Sequence, residues 1–222
     1  MSDLTRRSLL GGLAASVPLF GLARAADEAK LVLPAHKNEE FYTPEGKFDA
    51  AKAKQAYYEF MECHHFPVMP VLKTDAFWVL DFALGKFTEV GMAGIFYINN
   101  ERDDYLLHDI WLLPNQMIAE HYHIKTDKVA AKMEAWLVRN GSAWFYSEGE
   151  PTPGVDERIP PTHKGVCKAR HEELKKPGDV VKLEAAESRH WVKAGPEGAI
   201  ITEVATYHSM DALRFSHPGI KL

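Results

Sequence analysis

His121-Tyr122-His123 constrains the fold of this chain more than any other feature. Side chains alternate along a strand, so both imidazoles project from the same face. Two imidazoles on one strand do not complete a metal site, and the remaining ligands must come from other segments. Glu134, separated from His123 by ten residues, opens the next run, Ala135-Trp136-Leu137-Val138. Asn140-Gly141 reads as a hairpin turn that returns the chain as Ser142–Tyr146. Pro177-Gly178-Asp179 makes a further turn, and Val180–Leu183 reads as a strand. His190-Trp191 then follows, ahead of a turn at Gly195-Pro196. His121, His123, Glu134 and His190 are the candidate metal ligands.

The order His, His, Glu and then a distant His after a P-G-D turn resembles the two-part signature of the cupin barrels. The fold expected is all-β: a cupin (double-stranded β-helix, or jelly-roll) barrel with a short N-terminal helical segment. Cupins usually leave three or four residues between the second His and the Glu, whereas this chain has ten, 124–133. A longer loop still returns Glu134 to the site, because loop-closure entropy grows slowly with length.

A chain of 222 residues with 46% hydrophobic and 26% charged residues suits one globular domain. It has no internal repeat and no low-complexity tract. Thr5-Arg6-Arg7-Ser8-Leu9-Leu10 is a twin-arginine start, Gly11–Leu22 is a short apolar stretch, and Ala23-Arg24-Ala25 is an A-x-A cleavage site. Residues 1–25 are therefore expected to be a twin-arginine signal peptide, 26–66 an extension with a helix, and 67–222 the barrel. The expected location is periplasmic, reached through transient contact with the twin-arginine export machinery. The apolar stretch is too short for a membrane span. Residues 1–25 hold three Arg and one Asp, so their removal takes the formal charge from −5 to −7. Such a surface argues against a nucleic-acid partner. Cys63 and Cys167 are two thiols bound for an oxidising compartment. A disulfide and two unpaired thiols both remain open.

Phe48–Cys63 reads as a helix with Asp49 as its cap. Ala53, Ala56, Tyr57, Phe60 and Met61 share its apolar face, and Pro67 and Pro70 lie beyond its end. Strands are expected at 76–80, 94–98, 105–113, 117–123, 134–139, 142–147, 163–171, 180–183, 189–193, 199–206 and 213–215. Their aromatic and β-branched content and regular turn signals suggest an antiparallel barrel or sandwich.

Three neutral imidazoles and one carboxylate suit Mn²⁺, Fe²⁺, Ni²⁺ or Zn²⁺, and sequence does not choose among them. Lys132 lies two residues before Glu134 and would share its face on a strand. Glu203 sits inside the apolar run 199–205, where a charge is costly to bury unless paired. Arg139 and Arg214 are candidates to bind a substrate oxygen, or to form salt bridges. Trp136, Trp144 and Trp191 flank the ligand candidates as a sugar-stacking surface or as core. His208 and His217 read as surface or packing residues and His64-His65 as a loop pair. His36, His108, His163 and His171 carry no spacing argument.

These residues resemble the cupin-type sugar isomerases typified by D-lyxose ketol-isomerase. The resemblance runs from about Phe41 to the C-terminus. It rests on His121-x-His123, Lys132-x-Glu134, Pro177-Gly178-Asp179 with His190-Trp191, and Glu203-Val204-Ala205 leading to Arg214-Phe215. It implies a β-barrel, usually dimeric, with Mn²⁺ on His121, His123, Glu134 and His190. It also implies that Glu203 and Lys132 are the acid/base pair moving a proton between C1 and C2 of an aldose/ketose, a small carbohydrate; read from the residues themselves, Arg214, Trp191 and Arg139 are the candidates to touch that substrate. The chain departs from that family in its 124–133 insertion and in carrying Ala212-Leu213 where an Asp-Asn pair is expected. An Fe²⁺-dependent cupin oxygenase and a non-catalytic carbohydrate-binding cupin remain the alternatives.

Overall fold

The computed structural model describes residues 33–222. The expected signal peptide and the first residues of the extension lie outside that range. Helix α1, Ala50–Cys63, begins where Asp49 accepts a hydrogen bond from the backbone N–H of Lys52. Its five expected apolar residues are all buried. Tyr57, Phe60 and Met61 pack with Phe77, Phe87 and Trp111 in one cluster beside the barrel. Each such side chain stabilises the fold by roughly 1.5–3 kcal/mol. The Tyr57 hydroxyl is buried with them and donates to Gln116 Oε1 at 2.6 Å. Gln116 in turn accepts from Leu113 N and donates to Phe87 O. The Tyr57 hydroxyl and the Gln116 amide are thus paired under the helix, whereas the Trp111 indole N–H has no partner.

Nine strands follow: β1 Trp78–Leu80, β2 Met92–Asn100, β3 Tyr105–Leu112, β4 Met117–His123, β5 Glu134–Ser147, β6 His171–Lys175, β7 Val180–Lys182, β8 His190–Ala205 and β9 Leu213–Phe215. All the strand-to-strand pairings are antiparallel. β5 and β8 pair along their whole length, from Glu134↔Ala205 to Ser147↔His190. The first half of β5 and the second half of β8 belong to one sheet, ordered β1-β2-β3-β8-β5-β7. The other halves belong to a second sheet, ordered β9-β4-β8-β5-β6. The two long strands therefore run through both sheets and close them into a barrel of the cupin type.

This corrects two sequence readings. Asn140-Gly141 is not a hairpin turn, and Gly195-Pro196 does not end a strand. Both lie inside continuous strands, at register shifts between Val138 and Asn140 and between Gly141 and Ala143. Bulges of this kind bend a strand without ending it. Gly141 has φ +68°, and a Cβ placed there would lie 2.0 Å from Gly198 O. The bend brings two backbones too close for a side chain at 141, and at Gly198, φ +72°, a Cβ would strike the Phe60 ring and Leu112 O, so glycine occupies both positions. The expected strand at 163–171 is also corrected. A short 3₁₀ turn, Pro161–His163, and a loop occupy that stretch, and the strand starts at His171. Pro177-Gly178 does turn, linking β6 to β7, with Gly178 at φ +94°.

Glu120 on β4 is fully buried and accepts from Lys168 N, Ala169 N and Ser216 Oγ. It ties the 166–170 loop and the segment after β9 to the barrel wall. Cys63 and Cys167 are free thiols, and burial pushes the Cys167 thiol up.

Candidate active site

Strand alternation sends His121 and His123 from β4 into the barrel and Tyr122 outward, where Arg189 lies 4.5 Å from its ring. His190 opens β8 directly opposite His121, and their ring centroids are 4.3 Å apart. Glu134, at the start of β5, reaches the same point from the other sheet. One ligand atom from each of His121, Glu134 and His190 lies within 4.8 Å of the others. His123 Nε2 stands 3.6 Å from Glu134 Oε1. All four sequence-proposed ligands therefore meet in one place.

The imidazoles are held for coordination. His121 Nδ1 donates to Ala119 O at 2.9 Å and His190 Nδ1 to Ser188 O at 3.0 Å, which leaves Nε2 of each facing the cluster. His190 Nε2, both ring nitrogens of His123, and Glu134 Oε2 are buried with no hydrogen-bond partner. Buried polar atoms are seldom left in that condition. His190 Nε2 and Glu134 Oε2 approach to 3.2 Å without forming a hydrogen bond. A cation at this point takes His190 Nε2, Glu134 Oε2 and one ring nitrogen of His123, so the donor set fits a divalent metal.

Burial, with His190 alongside, pushes His121 down to about 3. Burial takes His123 down to about 2. Both rings are therefore neutral at pH 7, the form a metal binds. For His190 burial acts downward, but the Glu134 carboxylate outweighs it and holds the ring above its usual range. For Glu134 burial acts upward, and the charges of His190 and Lys132 overcome it, keeping the carboxyl well below the usual range.

Lys132 lies in the loop just before β5, and its side chain is buried. Nζ donates to Glu134 Oε1 at 2.8 Å and pairs with Glu203 Oε1. Glu203 on β8 faces inward opposite Trp136 and His108. Its second oxygen lies 3.1 Å from His108 Nδ1. Burial acts to raise Glu203, but Lys132 and His108 hold it below the usual range. Burial acts to lower Lys132, but Glu203 and Glu134 hold it above its usual range. A carboxylate and an ammonium thus sit paired beside the ligand cluster in a cavity of about 320 Å³.

The three residues expected to touch substrate stand elsewhere. Trp191 follows an inward residue, so it faces outward. It is fully buried against Tyr146, with ring centroids 3.5 Å apart, and its indole N–H donates to Ala169 O. Arg139 is exposed and donates to Thr202 Oγ1. Arg214 lies between two cavity residues, Leu213 and Phe215, and so points outward, donating to Asp211 O and Leu213 O. Two further histidines belong to the site: His108, which carried no spacing argument, and His208, which the sequence reads as a surface or packing residue. His108 holds Glu203, and His208 lines the cavity, its ring centroid 5.3 Å from that of His123. Burial, with Lys132 nearby, pushes His208 down to about 4.

No family model matches the chain. A D-lyxose ketol-isomerase of Thermofilum sp. is 32% identical over 143 residues, which are 64% of this chain and 78% of that protein. A D-lyxose/D-mannose isomerase of Thermosediminibacter oceani is 29% identical over 175 residues, 79% of this chain and 94% of that protein. The crystal structure of an Acinetobacter sp. L-ribose isomerase in complex with L-ribose superposes with a TM-score of 0.62 at 12% identity, over 83% of this chain and 96% of that one. It shares the barrel fold. On the identity and span of the first of these matches, the chain belongs to the D-lyxose ketol-isomerase family.

Proposed function

We propose that this protein is a metal-dependent aldose–ketose isomerase that moves a proton between adjacent carbons of an α-hydroxy carbonyl compound. The observation that carries the reading is Lys132, whose ammonium bridges a cluster carboxylate, Glu134, and a free-standing one, Glu203, inside one buried cavity. The isomerase names of its relatives support the same reaction class.

His121, His123, Glu134 and His190 would hold the metal, and Mn²⁺ is the ion we propose for this mixed N/O set. When bound, it supplies Lewis-acid polarisation of the carbonyl and fixes the adjacent oxygens. The remaining chemistry belongs to the side chains. Glu203, as a carboxylate, removes the proton on C2 of the aldose. Lys132 gives a proton to the O1 carbonyl oxygen, and the resulting enediol is neutral. Glu203 then returns its proton to C1, while the O2 hydroxyl proton passes to the lysine as the C2 carbonyl forms. Each group ends in its starting state. His108 holds Glu203 by its other oxygen and aims the carboxylate into the cavity.

Export through the twin-arginine route is part of the proposal. It rests on Arg6-Arg7, the apolar stretch 11–22 and Ala23-Arg24-Ala25.

The test is solvent deuterium incorporation at C2, followed by proton NMR, with Mn²⁺-loaded protein. The probes run from glyceraldehyde to D-lyxose, D-mannose and L-ribose. Exchange together with formation of the ketose is expected. Metal-loaded protein that exchanges none of these probes, glyceraldehyde included, would refute the isomerase reading.

A further inference from the structure

The polar side chains that line the cavity are His121, His123, Glu134 and His190, with Lys132 and Glu203 beside them, and His108 and His208. His108 has its Nδ1 engaged by Glu203, and its Nε2 is buried without a partner. His208 has Nε2 lying 3.4 Å from Met210 Sδ. The rest of the lining is carbon, and Trp78, Phe96 and Phe215 pack on the histidine rings. One sheet supplies Trp78, Phe96 and Ile110, and the other supplies Ile118, Leu213 and Phe215. Among the described residues that line the cavity there is no Ser, Thr, Asn, Gln, Asp, Arg or Tyr. The polar groups on the wall are the indole N–H groups of Trp78 and Trp136. The backbone groups of β2, β3, β4 and β8 are committed to their ladders.

That arrangement bears on what the proposed isomerase can hold. The reacting carbonyl and its neighbouring hydroxyl find the ligand cluster, Lys132 and Glu203. Every carbon of a sugar beyond C2 carries another hydroxyl. Placed against these walls, each such hydroxyl leaves water without finding a partner, which disfavours binding. A hydrocarbon body at the same place gains from burial instead. Size permits it: an apolar cavity of about 150 Å³ accommodates a benzene ring, and this one is about 320 Å³.

We infer that the preferred substrate is an α-hydroxy aldehyde, or its isomeric α-hydroxy ketone, whose chain from the third carbon onward is hydrocarbon or aromatic rather than polyhydroxylated. The inference rests on the isomerase reading above and specifies its substrate class. The reaction balances as before: one proton moves from C2 to C1 and one from O2 to O1, and no co-reactant enters.

The experiment compares Mn²⁺-loaded native protein on three probes by deuterium exchange at C2. Glyceraldehyde tests the reaction alone, because it has almost no body beyond C2. 2-Hydroxypentanal and D-lyxose have equal carbon number and differ in their hydroxyls. The expected result is a kcat/KM at least about tenfold higher for 2-hydroxypentanal, the discrimination that small differences in an apolar pocket support. Calorimetric binding of the unreactive acids 2-hydroxypentanoate and D-lyxonate should show the same preference without turnover. Leu213→Asn, which places an amide on the half-buried wall, should narrow both ratios. Exchange of glyceraldehyde with D-lyxose favoured over 2-hydroxypentanal would overturn the substrate class and leave the isomerase reading standing. Absence of exchange with all three probes would overturn the isomerase reading and this inference with it.

Discussion

Glu134 and His190 sit at opposite ends of a single β5–β8 ladder, yet their side chains approach to 3.2 Å. Glu134 pairs with Ala205 at one end and His190 with Ser147 at the other. The ladder must therefore fold back across the barrel interior for its ends to meet. The bulges around Asn140–Ala143 make that fold, and the cluster closes it.

An ion held there ties the two ends together, so ligands distant in sequence should matter equally. His190→Ala and His121→Ala are expected to lose bound metal to a similar degree, measured by elemental mass spectrometry after dialysis. Full occupancy in His190→Ala would remove that residue from the ligand set.

Chelation should also destabilise the native protein. A ligand present at 100 times its Kd contributes about 2.7 kcal/mol. In a domain of this size each kcal/mol moves Tm by about 2–4 °C. Stripping the metal should therefore lower Tm by roughly 5–10 °C, seen by calorimetry. The His190→Ala protein should show almost none of this shift.

Glu203→Gln keeps the shape of the side chain and loses its capacity to take a proton. A fall in kcat of about 10²–10⁴-fold is expected, with metal content retained. Deuterium exchange at C2 of glyceraldehyde is the readout. An unchanged rate would assign the proton transfer to another group.

Gly141→Ala should be far more harmful than a comparable change elsewhere. Its Cβ would meet Gly198 O at 2.0 Å, whereas Gly165, at φ +75°, has open space around it. Gly165→Ala carries the left-handed penalty alone, about 1–2 kcal/mol. Gly141→Ala adds a backbone collision and should exceed that by at least about 2 kcal/mol, a large effect for one substitution. Denaturant unfolding of the two variants side by side decides it, and equal losses would count against the tight crossing.

His163 predicts an acid sensitivity separate from the metal cluster. It is fully buried, 5.0 Å from the His217 ring by centroids, with Glu89 and Thr162 close by. Burial, with His217 beside it, lowers it to about 4 from an unfolded value near 6.5. Below pH 6.5 the unfolded chain takes up this proton while the folded one does not. Stability is thus full above pH 6.5 and falls as pH drops toward 4, by up to about 3 kcal/mol. His163→Gln should flatten this slope in metal-loaded protein, read from urea midpoints between pH 7 and 4. Parallel slopes in the two proteins would dismiss the residue.

Much of the frame was legible because its signals are local. The Asp49 cap and the apolar face of α1 follow from 3.6-residue spacing, and β4 follows from its own composition. The bends were not legible, because a residue with positive φ serves a hairpin and a bulge alike, and Asn140-Gly141 does not say which. The four ligands could be grouped by order alone. Trp191, Arg139 and Arg214 fail by parity: each is an odd number of residues from an inward-facing residue on its own strand, namely His190, Glu134 and Phe215. That test was available from the sequence. His108 was beyond reach, because its role depends on the β3–β8 register, which no short motif encodes.

The backbone of the ten-residue stretch before Glu134 is tied down near both ends, and in its middle the exposed Lys128 Nζ reaches Asp211 at 3.3 Å. Ile124 N donates to Ala212 O, Met133 N to Thr206 Oγ1, and Thr206 N returns to Met133 O. Lys132 sits just inside the second anchor. Loop length and ammonium placement are therefore separate variables in this architecture. Residues can be added to or taken from the middle of the stretch while the lysine keeps its address, so the insertion leaves the chemistry at the barrel mouth undisturbed.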